Sequence, residues 1–304
     1  GFVPKVVAPN DNYFEISKNL DIFGKLYREV NAYYVDEIDP NKFMRVGIDA
    51  MLESLDPYTN FISASEVEDF KFMSTGQYGG IGALIGNING KIIVTEPYEN
   101  SPAAQAGLLA GDEIIQIDEE KIAGKNFETV QIRELLRGQP KTKVKLVVKR
   151  FGKKEPLDIF VTRDDIKIKN VPYYGVVDNN IGYIKLTGFT KDASLEVKQA
   201  LETLKKEKQI KGVILDLRGN PGGLLFEAID IANIFLPKGE KIVETKGRIE
   251  GSLRTYLAQN SPVDTEIPLT VLINSKSASA AEIVSGTIQD LDRGVVIGQR
   301  SFGK

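Results

Sequence analysis

NSKSASAAEIVSGTIQDLDRGVVIGQRSFGK, residues 274–304, is the stretch around which this chain is organised. An apolar run at 269–273 leads into it. Small and hydroxylated residues follow, then an apolar-periodic segment, a short β run at 295–297 and a final Gly-Lys. The spacing predicts strand, tight turn, helix, strand and loop. Ser279 falls at or beside the helix start, where unbonded N–H groups favour negative charge. An oxyanion formed in acyl transfer can be held at such a place. The same residues fit a plain structural role, because Ser279-Ala280-Ala281-Glu282 reads as a capping box. Lys304 reads equally well as a solvated lysine.

Composition narrows the chemistry. The 304 residues include no His and no Cys. A Ser-His-Asp triad, a Cys nucleophile and any His- or Cys-based metal site are therefore excluded within this chain. A serine nucleophile would need Lys, Asp, Glu or Tyr as its base. A lysine serves if burial brings its pKa from about 10.4 toward ~7–8, at a cost near ~4 kcal/mol. The Ser-Lys variant of the triad logic stays open. Apolar content of 42% and charged content of 27% are ordinary for a soluble globular protein, and the length suggests two or three domains. A net charge of -3 gives no electrostatic case for nucleic acid. No apolar run approaches the ~18 residues of a membrane span. No signal peptide is visible, and Gly1 as first residue suggests a processed start. The absence of Cys suits a cytoplasmic or an extracytoplasmic protein alike.

Taken in order, residues 1–9 read as a loose arm. Helical periodicity predicts helices at about 11–34, 43–55 and 65–73, the second closed by the turn chemistry of Asp56-Pro57. They read as packing scaffold. From Gly76 the texture changes. Tyr78-Gly79-Gly80-Ile81-Gly82-Ala83-Leu84-Ile85 is a Gly-rich turn running into a strand. Strands follow at 92–95, 113–117, 144–148 and 157–161, with a short helix opening at Ser101-Pro102 and another near 127–136. Beyond Arg163 the pattern becomes α/β: strand 181–186, amphipathic helix 192–208, and strand 211–217, whose KGVILDL is of the doubly buried kind. Arg218-Gly219-Asn220-Pro221-Gly222-Gly223 turns into a helix at 224–235, and 241–245 adds a strand. Residues 246–268 are polar, poor in strand signals, and read as a surface excursion. Alternating strands and helices argue a layered α/β domain.

These residues carry a resemblance. SKSASAAEI, with FGK ending the chain, is similar to the carboxy-terminal processing proteases, tail-specific serine peptidases with a Ser/Lys dyad, and SLDPYT and DLRGNPGG resemble further signatures of that family. The resemblance implies an α+β multidomain chain. It comprises an N-terminal helical region (1–76), a PDZ domain (77–163; a small β-barrel with two helices) and an α/β spiral-sheet protease core (164–304) of the crotonase/Clp-like type. It implies Ser279 as nucleophile, Lys304 as general base, and the N–H groups of Gly223, with Gly222 adjacent, and Ala280 as oxyanion donors. The family continues past that lysine with Gly and, a few residues on, a Gln that orients it.

Gly-rich loop, SPAAxAGL, GDxIxxI, helix and strand occur in the order of a PDZ domain. In that frame Gly80, Ile81, Gly82, Ala83 and Leu84 form the carboxylate loop and strand that receive a peptide tail. Without it the loop reads as a hairpin turn; as a dinucleotide motif it fails, because its third glycine is one residue late. Arg137, in LLRG, is a candidate to relay tail binding to the protease domain, beside its plain reading as a surface arginine. The resemblance further implies protein or peptide substrates with free C-termini, no nucleic acid, no cofactor, no metal, a possible homo-oligomer and an extracytoplasmic setting. The alternative is a catalytically inactive PDZ peptide-binding protein of the same fold, favoured if Lys304 is exposed. One decoy remains at 298–304, which fits GxxxxGK of a phosphate loop but lacks the following Ser/Thr and helix.

Overall fold

A computed structural model describes residues 12–63, 74–125, 127–249 and 251–304. The expected arm at 1–9 and the helix expected at 65–73 lie outside the described residues. The chain forms two compact units, residues 1–66 and 67–304.

In the first unit, α1 (Asn12–Tyr33) and α2 (Pro40–Glu53) are the two helices expected from periodicity. Asp39 starts α2: its Oδ1 accepts from the N–H groups of Asn41 (2.9 Å) and Lys42 (3.2 Å), with Pro40 in the first turn where its missing N–H costs nothing. Phe23, Tyr27 and Phe43 stack between the helices, with ring centroids 6.5 and 5.6 Å apart. Past α2, the Asp56 carboxylate accepts from the Tyr58 and Thr59 N–H groups, which sets the Asp-Pro turn read from sequence.

The second unit opens with β1 (Gln77–Gly80), β2 (Ala83–Ile88), β3 (Lys91–Pro97), α3 (Pro102–Gln105), β4 (Glu113–Ile117), β5 (Glu120–Lys121), α4 (Thr129–Leu136), β6 (Lys143–Lys149), β7 (Leu157–Thr162) and β8 (Asp164–Lys167). Strand order is β2-β3-β4-β6-β7 with β5 on β4, so among the described residues the outer side of β2 is an open edge. KVKLVVK in β6 alternates and buries Val144, Leu146 and Val148 against Val94, Ile114 and Ile132. The Gly-rich stretch is divided. Gln77–Gly80 pairs antiparallel with β8, apart from the six-stranded sheet, while Ala83–Ile88 becomes the edge strand.

Farther on come β9 (Tyr173–Val177), β10 (Ile181–Lys185), α5 (Ala193–Lys208), β11 (Gly212–Asp216), α6 (Leu225–Phe235), β12 (Lys241–Thr245), β13 (Arg254–Leu257), β14 (Leu269–Ile273), α7 (Ala280–Asp290) and β15 (Val295–Gly298). Five of the strands form a sheet in the order β15-β14-β11-β10-β9, parallel except for β9. The apolar strand read from KGVILDL is its centre, and Val213 and Leu215 are buried among Val197, Leu201, Ile231 and Val284 of the covering helices. The start of α5 is held by α6: the Glu227 carboxylate accepts from the Asp192 (2.8 Å) and Ser194 (2.7 Å) N–H groups.

Five strands were not marked in the sequence reading: β1, read there as a Gly-rich turn, and β5, β8, β9 and β13. β13 lies inside the stretch expected to be a surface excursion and pairs antiparallel with β12. Its residues are mostly exposed on both faces, so no period-two burial pattern marked it. β9 was unmarked as well, being an edge strand with Gly175 at its middle and little buried surface.

Arg163 is a buried cation that no motif singled out. Its Nε donates to the Leu136 carbonyl (3.0 Å) and a terminal nitrogen to that of Leu135 (2.9 Å), closing the C-terminal turn of α4. The other terminal nitrogen reaches the Lys143 carbonyl at 3.3 Å. Replacing it with Met keeps most of the volume but strands those carbonyls. Arg163→Met is expected to lower unfolding free energy by about 2–4 kcal/mol in urea titration. A change within about 0.5 kcal/mol would show that water satisfies the helix end instead.

Candidate active site

The carboxyl ends of β11 and β14 are adjacent in the sheet, so the loops leaving them, 217–224 and 274–279, meet. Buried and half-buried side chains lace them together. Ser277 Oγ donates to the Leu217 carbonyl (2.8 Å) and accepts from the Asn274 N–H (2.9 Å). Asn274 Oδ1 accepts from the Gly219 N–H across the gap (2.9 Å). Asn220, fully buried, donates through Nδ2 to the Leu186 carbonyl (2.9 Å), while its own carbonyl accepts from the Ala278 N–H (3.0 Å). Such satisfied buried networks rigidify what they connect.

Ser279 stands at the strand-to-helix turn with φ +55° and ψ −115°, a conformation that a non-glycine residue adopts only where its surroundings enforce it. Gly222 supplies part of that enforcement. It has φ +96°, and a Cβ there would lie 2.6 Å from the Ala278 carbonyl oxygen and 2.9 Å from Ser279 Cβ. Only glycine lets the two loops approach so closely. Gly223, with φ +147°, is pressed against Phe189 in the same way, its missing Cβ position 2.5 Å from the Phe189 carbonyl oxygen. Among the described residues neither the Gly223 N–H nor the Ala280 N–H meets an acceptor, whereas the Gly222 N–H donates to Asn220 Oδ1 (2.8 Å). Of the two adjacent glycines, Gly223 is therefore the one with a donor to offer.

The sequence presented Glu282 only as a capping residue. It does reach back to the Ser279 N–H, at 2.7 Å from Oε2, and the same oxygen accepts from the Lys304 N–H at 3.1 Å. Oε1 accepts from Ser301 Oγ and from the Gly303 N–H, both at 2.7 Å. One carboxylate thus gathers the backbones of Ser279 and Lys304. Burial works to raise its pKa, but the bonds from Ser301, Gly303, Lys304 and Ser279 outweigh burial and hold the group below its ordinary 4.5. Lys304 is itself exposed. The glycine-lysine end that resembled a phosphate loop turns its last two N–H groups to this carboxylate, which occupies them as a phosphate would.

A second carboxylate escaped the sequence reading although a signal was there, an Asp in an otherwise apolar strand. Asp216 is fully buried at the end of β11 and accepts from Tyr183 Oη (2.5 Å), from Arg218 Nε (3.0 Å) and from a terminal Arg218 nitrogen (2.7 Å), with Lys185 Nζ at 3.2 Å. Burial opposes its charge, yet Arg218 and Tyr183 more than offset this and hold it well below the usual carboxylate range. The cluster fixes the start of the loop that carries Asn220, Gly222 and Gly223.

In the PDZ region a cavity of about 200 Å³ lies between β2 and α4. Of the five residues expected at the peptide site, Ile81, Ala83 and Leu84 line it. Gly80 instead pairs with Asp164 in the β1–β8 ladder. Gly82, at φ +73°, forms the turn, its carbonyl accepting from the Tyr98 N–H at 2.9 Å. Arg137 lies at the end of α4, lines the cavity, and sets its guanidinium 5.4 Å from the centre of the Tyr78 ring. Burial, above all, pushes the Tyr78 hydroxyl up to about 12, so it stays a neutral donor.

Residues 93–150 match the family model described as PDZ domain, and residues 180–304 match that of peptidase family S41. A carboxy-terminal-processing protease of Bartonella bacilliformis is 39% identical over 290 residues, covering 94% of this chain and 66% of that protein. The carboxy-terminal processing protease CtpA of Bacillus subtilis is 35% identical over 285 residues, 93% of this chain and 60% of its own length. The chain therefore spans less than two thirds of the length of these relatives.

The Glu282 anchor has a pH signature. Its folded pKa is depressed, so its contribution is present above the unfolded value and lost as pH falls through the lower folded one. Amide exchange at Gly303 and Lys304 should stay protected as pH drops to 4.5 and rise only below it. In Glu282→Gln an NH2 group faces some of the four donors, and protection should fall by about 1–3 kcal/mol at any pH. Unchanged protection would mean that other contacts hold the segment.

Proposed function

Because the chain belongs to peptidase family S41, with a PDZ domain ahead of its protease core, we propose that it is a serine endopeptidase that cleaves proteins near their C-termini. The observation that carries this reading is the Glu282 carboxylate, which draws the Ser279 and Lys304 backbones to one oxygen beside the two unengaged N–H groups of Gly223 and Ala280. Ser279 Oγ attacks the scissile carbonyl while Lys304 Nζ takes its proton. The oxyanion that forms is met by the Gly223 and Ala280 N–H groups; each such donor is worth about 2.7–4 kcal/mol in acyl transfer. Collapse breaks the C–N bond, Lys304 returns the proton to the leaving amine, and an ester on Ser279 remains. Water then attacks the ester, giving its proton to Lys304; the acyl C–O bond breaks, Lys304 returns that proton to Ser279 Oγ, and the new carboxyl end leaves.

The PDZ groove holds the substrate tail. The tail adds as a strand on the open edge of β2, its carboxylate at the Ile81–Ala83 turn. Arg137, between the groove and β1, is placed to relay occupancy toward the core. On this reading the protein works outside the cytoplasm, as the family resemblance implies. Among the described residues no helix is long and apolar enough to cross a membrane.

One observation favours the alternative of a silent peptide-binding protein, namely the exposure of Lys304. Active-site titration with a serine-directed fluorophosphonate, in a form continuing past Lys304, separates the two. Labelling and turnover are expected in the parent and absent in Ser279→Ala. Lys304→Arg should also be inactive, because a guanidinium stays protonated. Turnover retained in that variant would remove the lysine from the mechanism. Tail capture has its own check by calorimetry. A hydrophobic peptide with an amidated end should bind at least several-fold more weakly than its free acid, since a charge-assisted bond is worth about 1.5–3 kcal/mol. Equal affinities would leave the PDZ region as scaffold.

A further inference from the structure

Resting on tail capture by the PDZ groove, we infer that the groove selects tails carrying an acidic side chain two residues before the C-terminus, and that Arg133 reads it. A peptide strand on the β2 edge alternates its side chains, so the last residue and the one two before it both face α4. Ile81, Ile85 and Leu136, all buried, make an apolar floor for one of them. The end of α4 marks which. Gly138, just past the helix, donates its N–H to the Gly79 carbonyl (3.1 Å), and Arg137 packs on Tyr78 of β1. The C-terminal end of α4 is thus tied to the strand that leads into the carboxylate turn, and Leu136 lies at the last side chain of the tail.

Arg133 is three residues earlier on the same helix face and also lines the cavity. Three helical residues advance about 4.5 Å, against about 6.6 Å for two strand residues. Its guanidinium therefore falls within reach of the side chain two before the end. Arg133 is exposed and has no carboxylate partner among the described residues; neither neighbouring Glu134 nor Glu96 on β3 pairs with it. An uncompensated cation beside an apolar floor favours an anion on the ligand. A last-turn arginine also complements the helix dipole, but that role is indifferent to the sequence of the tail.

The test is fluorescence anisotropy on the full chain carrying Ser279→Ala, with labelled ten-residue peptides that end Glu-Ala-Val, Gln-Ala-Val or Lys-Ala-Val. At low salt the Glu peptide should bind roughly five-fold tighter than the Gln peptide and the Lys peptide more weakly, as expected for a partly solvated ion pair. Arg133→Gln should abolish the preference and Arg133→Glu reverse it, the reversal also showing that the variant is folded. Equal binding of the Glu and Gln peptides, with amidated versions still weaker, overturns the acidic selection and leaves tail capture standing. A preference that survives Arg133→Gln overturns the assignment to Arg133. If amidation makes no difference, tail capture fails and this inference with it.

Discussion

Four donors on one carboxylate hold Ser279 and the 301–304 segment together. Glu282 sits in the first turn of α7, where the helix dipole already favours a negative charge. That placement lets it bind the Ser279 N–H in front of the helix and the 301–304 segment beside it. A neutral side chain could accept some of these bonds, but not four. The residue that sequence patterns present as a cap is also the junction between Ser279 and the 301–304 segment, and both functions come from the same negative charge.

The strained backbone at Ser279 needs a second constraint, supplied from the opposite loop. Asn220 fixes the Ala278 N–H through its carbonyl and the Gly222 N–H through its side chain, with both groups on one rigid residue. The absence of a Cβ at Gly222 allows the approach, and the contact with Phe189 holds Gly223. The donors left over, at Gly223 and Ala280, are unused because the surrounding ladder has consumed the others. The hydrogen bonds made elsewhere leave these two N–H groups without an acceptor among the described residues.

Much of this was legible in the sequence. KGVILDL announced a central strand because burial on both faces leaves no alternation, and SAAEI announced a helix start. The PDZ order of elements was readable because each turn carries glycines or a Ser-Pro cap. What escaped reading depends on long-range pairing. Arg163 looks like any basic residue until the end of α4 arrives beside it, 27 positions away in sequence. Glu282 had a sufficient local explanation, and nothing local pointed to residues 301–304. β9 and β13 are edge or hairpin strands whose stability lies in backbone pairing, and backbone pairing leaves no mark on side-chain pattern. Asp216 was the one miss with a local clue, since a carboxylate in an apolar strand requires partners that only the fold can bring.

The PDZ region and the protease core share one continuous set of contacts. Tyr78 under Arg137 belongs to β1, and β1 pairs along its whole length with β8. Gly76, just before β1, accepts at its carbonyl from the Ile168 N–H just after β8. Two residues on, buried Asn170 accepts from the Thr190 N–H and hydroxyl, and its carbonyl accepts from the Thr187 N–H. Those residues flank Phe189, whose N–H donates to the Gly222 carbonyl (3.0 Å) and whose carbonyl accepts from the Leu224 N–H (2.7 Å). Each link is a hydrogen bond or a ring contact between packed elements, so β1 and the glycine loop are joined by a contiguous path. Whether a tail in the groove biases that loop is a question of coupling free energy, which contiguity permits and does not by itself supply. The seam nevertheless explains why Arg137 and Gly138 sit where they do. A helix end that both lines the groove and abuts β1 joins the groove to the frame of the glycine loop through packed contacts.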